Sequence, residues 1–424
     1  MSILGIITEY NPFHNGHLYH LQQSKKITGA EAVICIMNGN FVQRGRPAVT
    51  DKWSRTKMAL ANGVDLVIEL PLIYGIRSAE YFAEGAVRLL GETNIVDNLV
   101  FGSEIGEIDP LAYLAEIFLD EPESYQKHLK KNLGKGFSFP EAREKALFAY
   151  LDSCGNINLK LDNALIQKVI SEPNNILGIE YLKALKRYNI EITPLTIRRS
   201  HKNYHSQEVK SNLASATAIR KKIYNNKVNF SEIKYTIPSA TMKILERDMN
   251  EGKIPIKREY LGILVLSSLR QMTSEQLTDF AEIDEGLANR MIDAAYKTGS
   301  LNQLISAVKT RAFTWTRVQR NLLHILFKLK SSQFKKTDYG PGYFRVLGFT
   351  KNGEKLLTSI KRHSTLPIIT QPAGYLKSKK QKSKDFLKRQ LSFDILASDL
   401  YSLLYKEPEK RGGHLDFYNP VIKI

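Results

Sequence analysis

The stretch Ile3-Leu4-Gly5-Ile6-Ile7-Thr8-Glu9-Tyr10-Asn11-Pro12-Phe13-His14-Asn15-Gly16-His17 decides the reading of this chain. It opens on an apolar run, turns through a loop containing Pro12, and ends where Leu18 and Leu21 begin a helical spacing. A strand feeding a helix through a short loop is the first unit of an α/β sheet. The helix N-terminus presents unpaired amides and the positive end of a dipole, which suits phosphate oxygens. Gly16 lets the backbone approach a ligand with no side chain between them. His14 and His17 lie on one face of a helical turn, so both can donate to one phosphate group. Two other readings compete: plain loop and cap residues, or a metal site. The segment supplies no further metal ligands. Placed at the mouth of a helix after a first strand, the string is read as a phosphate site.

Working outward, the same unit repeats. Residues 31–37, 64–70 and 98–101 are near-continuous apolar strands, and residues 17–26, 54–62 and 79–90 have helical spacing. Such strands between helices predict a Rossmann-like parallel sheet covered on both faces. Ligands then sit outside the carboxyl ends of its strands. A helical insertion is expected over about 109–165, with 142–151 its clearest stretch. A helix at 179–187, a strand at 190–197 and a basic helix at 215–225 follow. Past residue 234 the pattern is mainly helical (258–269, 274–280, 286–298, 301–309, 316–329). A small α/β coda spans 343–371, and 393–404 is a last amphipathic helix. The expected division is a nucleotide-binding catalytic domain over 1–230, a helical domain over 231–335 and a basic α/β region over 336–424. A chain of 424 residues exceeds what one core usually supports, roughly 250–300 residues.

Hydrophobic content of 43% and charged content of 25% belong to a globular chain rather than a disordered one. No window approaches the roughly 18 apolar residues that span a bilayer. The N-terminus lacks a basic region and meets Glu9 early, which argues against a signal peptide. Cys35 and Cys154 form neither a disulfide framework nor a zinc pattern, so a reducing, cytoplasmic setting is expected, with no structural metal and no disulfide partner. The net charge of +18 attracts polyanions at long range.

That charge is concentrated late in the chain. Lys309, Arg311, Arg317, Arg320, Lys328, Lys330, Lys335 and Lys336 occur with no acid between them. Lys377, Lys379, Lys380, Lys382, Lys384, Lys388 and Arg389 are opposed only by Asp385. Such patches neutralise nucleic-acid phosphates. Arg311, Arg317, Arg320, Lys377, Lys379 and Lys380 are the candidate RNA contacts. Residues 374–384 also read as a plain basic surface loop. Phe313, Trp315 and Phe327, interleaved with the first patch, could stack on unpaired bases, but Trp315 and Phe327 read rather as core residues of a helix.

A second string, Ser215-Ala216-Thr217-Ala218-Ile219-Arg220, starts a helix. Ser215 and Thr217 can cap it, and Arg220 can fork onto a β- or γ-phosphate. Alone it would be an ordinary cap. Beside His14-Asn15-Gly16-His17 it resembles the second mark of the HxGH nucleotidyltransferase superfamily, which shares its α/β fold with class I aminoacyl-tRNA synthetases. Longer strings are more specific: residues 9–17, Met37-Asn38-Gly39-Asn40-Phe41-Val42-Gln43-Arg44-Gly45, Ser78-Ala79-Glu80-Tyr81-Phe82-Ala83, Phe101-Gly102-Ser103-Glu104 and Pro173-Asn174-Asn175-Ile176-Leu177-Gly178. They resemble the bacterial tRNA(Met) cytidine acetate ligase family over the whole chain, most densely over about 3–220.

That resemblance implies an ATP-dependent ligase. It would make acetyl-adenylate from acetate and ATP and pass the acetyl group to the exocyclic amine of the wobble cytidine in elongator methionine tRNA, giving N4-acetylcytidine. It implies an ATP cradle of Ile7, Thr8, Glu9, Tyr10, Asn11, Pro12, Phe13, His14, Asn15, Gly16, His17, Leu18, Tyr19 and His20, with His14 and His17 catalytic. Gly102 would leave room for adenine or ribose. Asn174 or Asn175, and Arg198 or Arg199, would add contacts, with Ser215, Thr217 and Arg220. By position, Asn38, Gly39 and Asn40 are candidates for the acid pocket, and Gln43 and Arg44 for its extension or for RNA. Lys52 and Arg55 are further basic candidates near the site, although both read more readily as helix-surface charge. Magnesium is expected because triphosphate chemistry usually uses it. Two alternatives remain: an adenylyltransferase of small molecules with no RNA substrate, and a non-catalytic nucleotide-sensing RNA-binding factor.

Overall fold

A computed structural model describes residues 1–153, 163–199, 215–224, 230–335, 339–377 and 385–424. The strands are β1 (Ile3–Thr8), β2 (Ala32–Asn38), β3 (Phe41–Val42), β4 (Arg46–Pro47), β5 (Leu66–Leu70), β6 (Asn98–Ser103), β7 (Thr193–Arg198), β8 (Phe344–Phe349), β9 (Ile368–Ile369) and β10 (Ile422–Lys423). The main sheet runs β10-β8-β5-β2-β1-β6-β7, with β9 also paired to β8, and β3-β4 forms a separate ribbon. From β5 to β7 every pairing is parallel.

Every residue of β2 and β5 is buried, which is why both read as near-continuous apolar runs, interrupted only by Asn38 and Glu69. Alternate side chains enter two cores. Ile34, Ile36, Leu66 and Ile68 face one, and Val33, Cys35, Met37 and Val67 face the other. The first core continues without a break into Val265, Leu287 and Leu322 of the helical segment. Phe327, fully buried, belongs to it, and Trp315 packs partly buried against it.

Helices α1 (Asn15–Thr28), α2 (Lys52–Ala61), α3 (Leu72–Gly75) and α4 (Ala79–Gly91) follow the first strands. The expected insertion holds α5 (Ile108–Asp120), α6 (Glu123–Gly134), α7 (Phe139–Ser153) and α8 (Asn163–Ser171). Then α9 spans Pro173–Arg187 and α10 spans Ala216–Ile223. Pro173 starts α9, so the Pro-Asn-Asn string is a helix opening rather than a turn.

The coda extends the first sheet. Strand β8 lies antiparallel on β5, pairing Leu66 with Phe349 and Glu69 with Arg345. A buried ionic group fastens this seam. Lys52 Nζ donates to Glu69 Oε2 at 2.8 Å and to Asp416 Oδ1 at 2.9 Å, and Arg345 donates to Asp416 Oδ1 at 3.1 Å. Lys52 is therefore not surface charge, and neither is Arg55; both are fully buried. Arg55 donates to the carbonyls of Glu9 (2.7 Å), Asn38 (3.0 Å) and Gly39, and so ties together the loops after β1 and β2. Among the described residues no helix is long and apolar enough to cross a membrane. Cys35 is buried and unpaired, and Cys154 lies outside the described residues.

Candidate active site

Chain order reverses at β1: β2 and β5 lie to one side, β6 and β7 to the other. The crevice between the carboxyl ends of β1 and β6 is the switch point where this architecture binds ligands. His14 follows β1 there, and Gly102 lies near the end of β6.

His14 is the N-cap of α1, and its Nδ1 accepts from the Gly16 amide at 3.0 Å. His17 Nδ1 in turn accepts from the His14 amide at 3.3 Å, closing a reciprocal capping box. Two consequences follow. With Nδ1 accepting, each neutral ring carries its proton on Nε2, so each offers one N–H donor away from the helix. The rings also stack, with centroids 3.7 Å apart and planes 21° apart, which makes the donors near neighbours. Tyr10 and Phe13, both buried, back the His17 ring at 5.1 and 5.7 Å.

Both imidazoles are neutral. Burial, then the charges of Arg199 and Arg220, lowers His14 to about 3. Burial, then His14, Arg199, His20 and Arg220, holds His17 well below its ordinary value. Burial and Arg199 lower His20 to about 4. The histidines thus act as dipolar donors, while Arg199 and Arg220 supply the positive potential. His14 is only 5% exposed, whereas Asn15, Gly16, His17 and His20 are partly exposed and form the open rim.

The loop is held on both sides. Asn11 Oδ1 accepts from the Val49 amide at 2.7 Å, and Glu9 Oε1 accepts from the Gln43 amide at 2.9 Å. Asn15 donates through its amide to Thr236 O at 3.0 Å and through Nδ2 to Tyr235 O at 2.8 Å. Thr8 Oγ1 lies 3.4 Å from Cys35 Sγ. Ile7 and Leu18 are partly exposed, Pro12 is buried, and Tyr19 is half exposed.

Beyond the loop, the structure separates the paired candidates. A Cβ on Gly102 would lie 3.0 Å from Arg199 Cγ, so Arg199 crosses this glycine on its way towards the histidines. Arg198 turns the other way, its Cβ against Gly106, and is exposed. Asn175 is fully buried; its Oδ1 accepts from the amides of Glu104 (2.8 Å) and Ile105 (3.1 Å). Its Nδ2 has no protein partner among the described residues. Asn174 is spent on Glu104, donating through Nδ2 to Oε1 at 2.5 Å.

Glu104 is the residue that sequence reasoning quoted but gave no role. Its carboxylate also accepts from the amides of Asn174 (3.2 Å) and Asn175 (2.8 Å), capping α9 from another element. The available signal was a carboxylate two residues past Gly102, facing a helix with no side-chain cap of its own.

On α10, Ser215 accepts from the Ala218 amide at 3.2 Å. Arg220 donates to Asn11 O at 2.8 Å and to Thr217 Oγ1 at 3.0 Å, which brings this string onto the first loop. Asn38 and Asn40 point inward. Asn38 Nδ2 donates to Gly75 O at 3.1 Å, and Asn40 is taken by Ser398 (3.2 Å) and the Lys52 amide (2.7 Å). Only Asn38 Oδ1 of this pair lacks a partner among the described residues.

Of the basic candidates, Arg311 is exposed and pairs with Glu141. Arg317 donates to Glu282 O at 3.3 Å and lies over Phe313. Arg320 is partly buried, and Lys377 is exposed. Lys379 and Lys380 lie outside the described residues.

The chain is similar to known proteins over its whole length. The model of the family described as HIGH Nucleotidyl Transferase matches residues 1–416. The tRNA(Met) cytidine acetate ligase of Halothermothrix orenii is 54% identical over 424 residues, covering 100% of both chains. The same-named protein of Acetivibrio thermocellus is 45% identical over 426 residues, again covering 100% of both. The crystal structure of Thermotoga maritima TmcAL bound with alpha-thio ATP is 35% identical and superimposes with a TM-score of 0.92, covering 100% of both chains. The apo form of that protein gives a TM-score of 0.94 at the same identity and coverage. The chain belongs to the tRNA(Met) cytidine acetate ligase family of the HIGH nucleotidyl transferases.

Proposed function

We propose that this chain activates acetate as acetyl-adenylate at the β1–β6 crevice and transfers the acetyl group to the wobble cytidine of elongator methionine tRNA. The observation that carries the first half is the pair of stacked, neutral imidazoles at the switch point, both with Nε2–H free of the capping box. The names and full-length identity of the relatives support the second half.

In the activation step an acetate oxygen attacks the α-phosphorus of ATP and pyrophosphate departs. Negative charge grows on the phosphate oxygens, where His14 and His17 donate and Arg199 and Arg220 add positive potential. Donors fixed beforehand lower that barrier without reorganising. In the transfer step the cytidine N4 attacks the acetyl carbon and AMP leaves. An aromatic amine is a weak nucleophile, so the mixed anhydride supplies the leaving group and placement supplies much of the rate.

Magnesium is expected to accompany the triphosphate. Among the described residues no group of three or more His, Cys, Asp or Glu could hold a metal ion, so an ion held by the protein alone does not fit here. No step above uses one. Acetate-dependent exchange of labelled pyrophosphate into ATP tests the activation step. Exchange that needs acetate but no RNA supports it, and exchange indifferent to acetate removes it.

A further inference from the structure

The ribbon β3-β4 and its neighbours place guanidinium groups together in a way the activation chemistry leaves unused. Arg44 stands exposed in the turn of the ribbon, and Arg46 follows on β4. The turn is pressed onto the helix Trp315–Leu326. A Cβ on Gly45, whose φ is 71°, would lie 2.6 Å from the Arg320 amide nitrogen, so the turn that carries the arginines packs directly on this helix. Arg46 Nε donates to Gln319 Oε1 at 3.1 Å, which restrains the guanidinium. Arg258 opens the helix Arg258–Arg270, and its buried Nε has no protein partner among the described residues.

These groups repel one another. Burial, then the charges of Arg258, Arg220 and Arg44, lowers Arg46 below its ordinary range, and Tyr224 opposes them only weakly. Among the described residues no carboxylate pairs with Arg44, Arg46 or Arg258. By contrast, two fully buried cations, Lys52 and Arg345, have carboxylate partners in Glu69 and Asp416. Arg46 and Arg258 are partly desolvated and lack a carboxylate partner among the described residues, so a bound anion would relieve their repulsion, and exposed Arg44 adds a third charge beside them. Planar forks suit the oxygens of a phosphate.

We infer that Arg44, Arg46 and Arg258 form a phosphate-binding site beside the nucleotide crevice, joined to it through Arg220. The shared chemistry has two sources, an RNA phosphodiester or the terminal phosphates of ATP. Arg44 at the exposed tip favours the RNA. The site would then hold the backbone next to the acceptor cytidine, and this deepens the proposed reaction on RNA.

The test uses Arg46→Gln and Arg258→Gln in the full chain, with Arg46→Lys as the conservative control. Two constants are read: affinity for methionine tRNA transcript across a salt series, and KM for ATP in acetate-dependent pyrophosphate exchange. Severalfold weaker RNA binding, with the slope of log affinity against log salt shallower by about one per arginine and KM for ATP unchanged, supports the RNA source. A raised KM for ATP with RNA affinity unchanged supports the nucleotide source. Both outcomes are partly rescued by Arg46→Lys. The inference is overturned if neither constant moves, or if both worsen with a lowered unfolding midpoint that the lysine does not restore. Exchange and tRNA acetylation by the unaltered protein report on the proposed reaction separately.

Discussion

His14 has two jobs that one substitution can separate. Its Nδ1 is the N-cap acceptor for the Gly16 amide at 3.0 Å, and its Nε2–H is the proposed donor to phosphate. His14→Ala removes both. Loss of the cap costs about 1 kcal/mol of stability. Loss of one pre-placed donor to a developing oxyanion costs about 10²–10³ in rate, or about 3–4 kcal/mol. His14→Asn keeps the first job, because the amide oxygen takes the position of Nδ1 and Asn is a favoured N-cap. It abandons the second, since the shorter side chain ends where Nε2 would begin. The expected result is a His14→Asn protein whose urea midpoint matches the parent and whose acetate-dependent exchange is at least a hundredfold slower. His14→Ala should be as slow and also less stable. If His14→Asn exchanges within threefold of the parent, the imidazole is only a cap and the donor role fails.

Further outcomes follow from the same geometry. The depressed pKa values of His14 (about 3) and His20 (about 4) mean that the unfolded chain binds protons which the folded chain refuses. Their contribution to stability is whole above the unfolded value near 6.5 and is lost as pH falls towards 3–4; the loss amounts to about 2 kcal/mol per ring by pH 5. Denaturation at pH 6.5 and pH 5 should show a smaller drop for His14→Asn than for the parent. Glu104→Gln puts an amide against the Asn175 N–H that now donates to Oε2 at 2.8 Å. It should cost about 1–3 kcal/mol and raise KM for ATP, as read by denaturation and exchange. Asp416→Asn leaves Lys52 and Arg345 sharing a buried site with Glu69 alone. A urea titration should show a loss of about 3–5 kcal/mol.

The first sheet was readable because its strands are buried on both faces, so β1, β2, β5 and β6 appear as apolar runs with no pattern to decode. The seam between β5 and β8 was not. Antiparallel pairing of Leu66 with Phe349 leaves no local trace, and either strand reads the same alone or paired. For the same reason Lys52 and Arg55 read as surface charge: their partners are Asp416, Glu69 and three carbonyls on distant loops. At the site, the capping positions of His14 and Ser215 were legible because a cap is local in sequence. The choice of Arg199 towards the histidines depends on which face of β7 meets Gly102, and that is a matter of register. Glu104 escaped because it caps a helix seventy residues away.

The most direct measurement is nucleoside mass analysis of elongator methionine tRNA after incubation with the protein, ATP and isotopically labelled acetate. The account predicts one cytidine, at the wobble position, heavier by a labelled acetyl group on N4, with the label absent when ATP is withheld. Unmodified cytidine in the presence of active acetate-dependent exchange would contradict it and leave an adenylate-forming enzyme with some other acceptor.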